Sequence, residues 1–120
     1  MGAVTSARAV GTVTMLFTDI EGSTVLLRRL GSRWGEALTA QRAIVRAAVL
    51  ESHGEEMGTE GDSFFVVFTS AHDAGRAAVT AQRALLAHAW PDGEPLRVRM
   101  GLHTVEPERH GEGYIGVHWP

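Results

Sequence analysis

The run Thr12-Val13-Thr14-Met15-Leu16-Phe17 constrains this chain more than any other segment. It is short, β-rich and apolar, and it stops at a polar, glycine-containing loop, so it reads as a buried strand. Ser23 or Thr24 can cap the helix that follows, with Val25, Leu26, Leu27 and Leu30 as its apolar side and Gly31 as its end. A second helix is read from Trp34, Ala37, Leu38, Gln41, Ile44, Val45 and Ala48, whose spacing of three and four marks one face, and it should stop near His53-Gly54.

Glu55 to Thr59 is a candidate strand, Glu60-Gly61-Asp62 a tight turn and Ser63 to Phe68 a strong strand, together forming a hairpin. Ser70 can cap a further helix, whose inner Ala74, Ala77, Ala78, Ala81 and Leu85 would let it lie close to a sheet. After the turn-rich Trp90 to Pro95, the stretch Leu96 to Thr104 alternates as a strand should. Strand, two helices, hairpin, helix, strand is the βαββαβ order of an α+β, ferredoxin-like sheet with its helices on one face. Residues 1–11 lack a period and read as a flexible lead, which leaves 12–120 as the domain.

Composition removes several kinds of function. A chain of 120 residues with 44% hydrophobic content fits one domain with a core. A net charge of −3 is the wrong sign for a phosphate backbone, so no nucleic-acid partner is expected, and a ferredoxin-like nucleic-acid module would need a basic sheet face with exposed aromatics. Without cysteine there are no disulfides, zinc-thiolate sites or cysteine nucleophiles. No apolar stretch is long enough to cross a bilayer, so the expectation is a cytoplasmic protein without a membrane partner. All 11 basic residues are arginine, and the chain holds neither lysine nor asparagine.

Two aspartates, each just past or before an apolar run and beside glycine, are the chemical candidates. Asp19 follows the first strand in Asp19-Ile20-Glu21-Gly22-Ser23-Thr24, where its carboxylate could hold Mg²⁺ while the N–H groups of Ile20 to Thr24 cradle a polyphosphate. A plainer account, in which Asp19 orders a turn, stays open. Glu21 is the nearest competitor for the metal. Asp62 lies at the hairpin tip and should approach Asp19, and carboxylates at close range repel unless a cation lies between them. The histidines are scattered and form no i, i+4 pair, and His103 reads as a packed or backbone-bonded strand residue. Trp34, Trp90, Phe64 and Phe65 read as core or dimer contacts rather than a base-stacking platform.

These residues resemble a known family. Phe17-Thr18-Asp19-Ile20-Glu21-Gly22-Ser23-Thr24, Gly61-Asp62 before Phe64-Phe65, and Arg97 to Thr104 are similar to the class III adenylate/guanylate cyclase catalytic domain, over about Thr12 to Gly116. The resemblance implies a homodimer that converts a nucleoside triphosphate, ATP or GTP, to a 3′,5′-cyclic nucleotide and pyrophosphate in signal transduction. It implies two divalent metal ions, Mg²⁺ or Mn²⁺, held by Asp19, Asp62 and the Ile20 carbonyl, with Ile20 to Thr24 and Arg99 meeting the nucleotide. A solvated arginine alternating out of a strand is the competing account of Arg99.

The chain also departs from the family pattern. Gly58 stands where the family places a purine-reading lysine, and the partner position falls near Gly113. The helix that would carry a ribose-positioning asparagine and a transition-state arginine is not found before Pro120, and an identical partner cannot restore it. Donors of that kind are commonly worth about 2–4 kcal/mol of barrier each. The expectation is therefore a partial cyclase domain of weak activity or none. The alternative is a non-catalytic nucleotide-binding or dimerisation module.

Overall fold

A computed structural model describes residues 12–106, 108–109 and 114–115. The expected lead at 1–11 and the position near Gly113 lie outside the described residues. Strand β1 spans Val13–Ile20, helix α1 Ser23–Leu30, α2 Trp34–Glu51, β2 Glu55–Glu60, β3 Ser63–Phe68, α3 Ala71–Ala87 and β4 Val98–Val105. A short ladder pairs β5, Glu108–Arg109, with β6, Tyr114–Ile115. The main sheet has the order β2-β3-β1-β4, every neighbour antiparallel, which is the ferredoxin-like arrangement expected from the element order.

Alternation along β1 sorts the core into two faces. Leu16 joins Phe64, Val66 and Phe68 of the sheet to Val45 and Val49 of α2 and Ala74 and Ala77 of α3. Ile20 and Val98 join Leu26 and Leu30 of α1, Ala37 of α2 and Leu85 of α3. All three helices therefore cover one face, and the small side chains of Ala74, Ala77 and Ala81, all fully buried, set α3 close against it. On the other face Val13, Met15, Phe17 and Val67 form a cluster of strand residues with Phe65 and Val105. Burying large side chains such as Phe64 and Phe68 contributes about 1.5–3 kcal/mol each.

Between the two helix-side clusters lies a polar seam. Thr18 falls between Leu16 and Ile20 on β1, and Gln41 between Ala37 and Val45 on α2. Both are fully buried, and neither the Thr18 hydroxyl nor the Gln41 amide finds a partner among the described residues.

Several local expectations are corrected. The first strand does not stop at Phe17 but runs to Ile20, because Thr18, Asp19 and Ile20 pair with Met100, Arg99 and Val98 of β4. Helix α1 is not capped by Ser23 or Thr24: its N-cap is Gly22 in the left-handed region, φ 64°, and Ser23 is already helical. Strand β4 starts at Val98 rather than Leu96, whose side chain is buried against the helices. His103 is exposed on β4 rather than packed. Ser70 does cap α3, accepting the Asp73 N–H at 3.1 Å.

Two further features frame the hairpin. Gly54, which leads into β2, leaves no room for a side chain, since a Cβ there would lie 2.6 Å from the Phe68 ring and 2.8 Å from Val49. Strand β2 lies at the sheet edge, mostly exposed, with a register irregularity between Glu56 and Gly58.

Candidate metal and nucleotide site

Asp19 is the penultimate residue of β1 and sits directly opposite Arg99 of β4. That register puts both side chains on the face away from the helices, and they meet as a two-pronged pair: Arg99 Nε donates to Asp19 Oδ1 at 2.8 Å and Nη2 to Oδ2 at 2.7 Å. Its hydrogen bonds to the Asp19 carboxylate, with the added fields of Asp19, Glu21 and Asp62, raise the Arg99 guanidinium above its ordinary pKa. Arg99 is solvated and alternates out of the strand, as the competing account expects, and it is also ion-paired with the first candidate aspartate.

Asp62 arrives by the hairpin. β2 ends at Glu60 and β3 begins at Ser63, which leaves the two-residue turn Gly61–Asp62, and Gly61 carries the positive φ of 59° that its first position favours. Asp62 Oδ2 accepts the backbone N–H of Ile20 at 2.7 Å, so the hairpin tip is joined to the end of β1. The expected approach of the two aspartates' segments is therefore present.

The phosphate-cradle expectation needs narrowing. The Ile20 N–H is taken by Asp62, and the Glu21 N–H donates to the Arg97 carbonyl at 2.8 Å. Gly22, Ser23 and Thr24 remain at the head of α1, where the first N–H groups of a helix have no intrahelical acceptor.

Sequence reasoning missed the support that α2 gives to the hairpin. Arg42 donates to the Gly61 carbonyl, next to Asp62. One turn on, Arg46 grips Glu56 of β2 through bonds of 2.9 and 3.1 Å, and its guanidinium lies 5.2 Å from the Phe64 ring centroid. Their i, i+4 spacing puts them on one helix face but carries no signal of the hairpin groups they meet. Glu56 is held below the usual carboxylate range, first by its hydrogen bond from Arg46. Farther off, Arg29 to Glu94, at 2.7 Å, and Arg33 to Asp92 tie α1 and the turn after it to the connector before β4.

Beside the hairpin is a cavity of about 450 Å³ lined by Phe17, Gly58, Thr59, Glu60 and Phe65 among others. Phe17 and Phe65 stack at 5.0 Å with their rings 3° from parallel. Phe64 points to the helix side and is core, whereas Phe65 lies on the opposite face. Trp34 and Trp90 pack against the helix-side core, and the Trp90 indole donates to the Leu85 carbonyl at 3.0 Å.

The donor set fits a hard divalent ion. Two carboxylates and a backbone carbonyl are all oxygen, and Mg²⁺ is typically held by one or two carboxylates plus waters and phosphate oxygens. Among the described residues no group of three or more His, Cys, Asp or Glu side chains converges, so the remaining positions would fall to those smaller ligands. No helix among them is long and apolar enough to cross a membrane.

The chain is similar to known proteins. An uncharacterised protein of Mycobacterium tuberculosis is 37% identical over 108 residues, covering 88% of this chain and 35% of that protein. Receptor-type adenylate cyclase B of Leishmania donovani is 41% identical over 78 residues, 65% of this chain and 6% of that one. An adenylate cyclase structure from Trypanosoma brucei, in its monomeric state, superposes with a TM-score of 0.79 at 26% identity, covering 88% of this chain and 64% of that chain. The chain thus spans about a third of the first relative's length. Residues 5–106 match the family model for the adenylate and guanylate cyclase catalytic domain, and the chain belongs to that family.

Proposed function

We propose that this chain holds a nucleoside triphosphate, ATP or GTP, with two divalent ions, Mg²⁺ or Mn²⁺, at Asp19, Asp62 and the Ile20 carbonyl, as part of a homodimeric nucleotide cyclase. The observation that carries this reading is the 2.7 Å bond from the Ile20 N–H to Asp62, which brings the second carboxylate to the strand end that bears the first. Bound there, the ions would lower the pKa of the 3′-hydroxyl and neutralise charge on the β- and γ-phosphates.

The protein's own residues supply position. Asp62 is fixed from two sides, by the Ile20 N–H and through the Arg42 contact to Gly61, so this carboxylate is already in position when a nucleotide arrives. Gly22, Ser23 and Thr24 present the head of α1 to the phosphates. Gly58, which lines the cavity, leaves the base side without the lysine that the family pattern places there.

Purified protein given ATP or GTP with Mg²⁺ or Mn²⁺ should form 3′,5′-cyclic nucleotide and pyrophosphate, detected by chromatography and mass, and Asp19→Ala should abolish it. Unchanged cyclisation in Asp19→Ala would show the metal assignment to be wrong. Nucleotide binding with no product from the wild-type chain would select the non-catalytic binding module instead.

A further inference from the structure

We propose that Arg99 is an internal counter-ion that occupies Asp19 until a metal–triphosphate complex displaces it, so that the site rejects a free divalent ion and admits one carried by a polyphosphate. This rests on the reading of Asp19 as a metal ligand. Both Asp19 oxygens are engaged by the guanidinium. The carboxylate side chain is 20% exposed and the arginine 65%, so Arg99 lies on the solvent side of the group that an incoming ion must reach.

Strand register makes the arrangement intrinsic to the fold. Asp19 and Arg99 are 80 residues apart in sequence yet directly opposed across β1 and β4, so the pair forms whenever the sheet does. Glu21 and Asp62 also act on the guanidinium, which therefore stands in the field that a bound cation would occupy. An arginine keeps its charge throughout the neutral range, so the pair is not opened by loss of a proton from the guanidinium, and a competing charge can open it.

A free ion must displace the guanidinium and leave it in water. An ion that arrives with a triphosphate brings phosphate oxygens, which accept the same two-pronged donor. Ion and triphosphate then favour each other's binding, and by linkage the favour is reciprocal.

The test is a titration of the full chain with Mn²⁺ alone, followed by the loss of the free-ion electron paramagnetic resonance signal. Arg99→Gln should bind Mn²⁺ about tenfold more tightly than wild type, within the range usual for coupling between two ligands. Arg99→Lys, which keeps the charge but loses the fork, should fall between them. Arg97→Gln removes a nearby charge that donates nothing to Asp19, and it should change affinity less than about twofold, as a loosely placed surface charge would. Asp19→Asn should abolish binding in every background. If Arg99→Gln bound no more tightly than wild type while Asp19→Asn still abolished binding, the counter-ion role would be overturned and the metal site would stand. Binding that survived Asp19→Asn would overturn both.

Discussion

Asp62 and Ile20 lie 42 residues apart in sequence, yet the carboxylate of one accepts the backbone N–H of the other at 2.7 Å. The bond serves structure and charge separately, and substitution can divide the two. Asp62→Ala leaves a strand-end N–H without its acceptor and should cost about 1–3 kcal/mol of stability in urea denaturation. Asp62→Asn keeps an acceptor oxygen, so it should retain most of that stability while losing Mn²⁺ binding.

Gly54→Ala should destabilise the fold by about 1–3 kcal/mol, because overpacking forces neighbours off their rotamers. The obstruction is the Phe68 ring, 2.6 Å from the added carbon. Adding Phe68→Leu should make the double variant more stable than the sum of the two single changes allows, measured as a double-mutant cycle in urea.

Gln41→Met should leave stability unchanged or raise it by about 1 kcal/mol, since it replaces an unpartnered buried amide with an apolar group of similar volume. A loss above about 2 kcal/mol in urea denaturation would show that the amide has a partner in solution, such as a buried water shared with Thr18.

The Arg46–Glu56 pair predicts a pH dependence. Glu56 has its carboxyl depressed in the folded chain, so its contribution is present above the unfolded glutamate value, about 4.3, and is lost as pH falls through the lower folded value. Thermal melts of wild type and Glu56→Gln should differ slightly at pH 7 and converge toward pH 3. The difference should be small because the pair is exposed to solvent.

The fold was legible where periodicity was strong. The alternation of β3, the three-and-four spacing of α2 and the alanine face of α3 each follow from sequence, and their order alone implies the sheet. The site was half legible. Asp19 and Asp62 stand out beside glycine, but the pairing of Asp19 with Arg99 depends on the register of two distant strands, where a one-residue slip would send Arg99 to the helix face. Arg42 was invisible for a related reason, since a helix position says nothing of which hairpin carbonyl lies across from it. Gly22 was passed over as a cap because Ser23 and Thr24 are the commoner choices, whereas the left-handed entry into α1 requires what glycine adopts most easily.

The exposed outer strand of the sheet has one more effect. Glu55, Glu56 and Glu60 and the break in register at Met57 interrupt what would otherwise be a flat template of unpaired backbone groups. Charge and irregularity on an edge discourage the addition of foreign strands. Among the described residues, that edge of the sheet is therefore guarded against fibrous self-assembly.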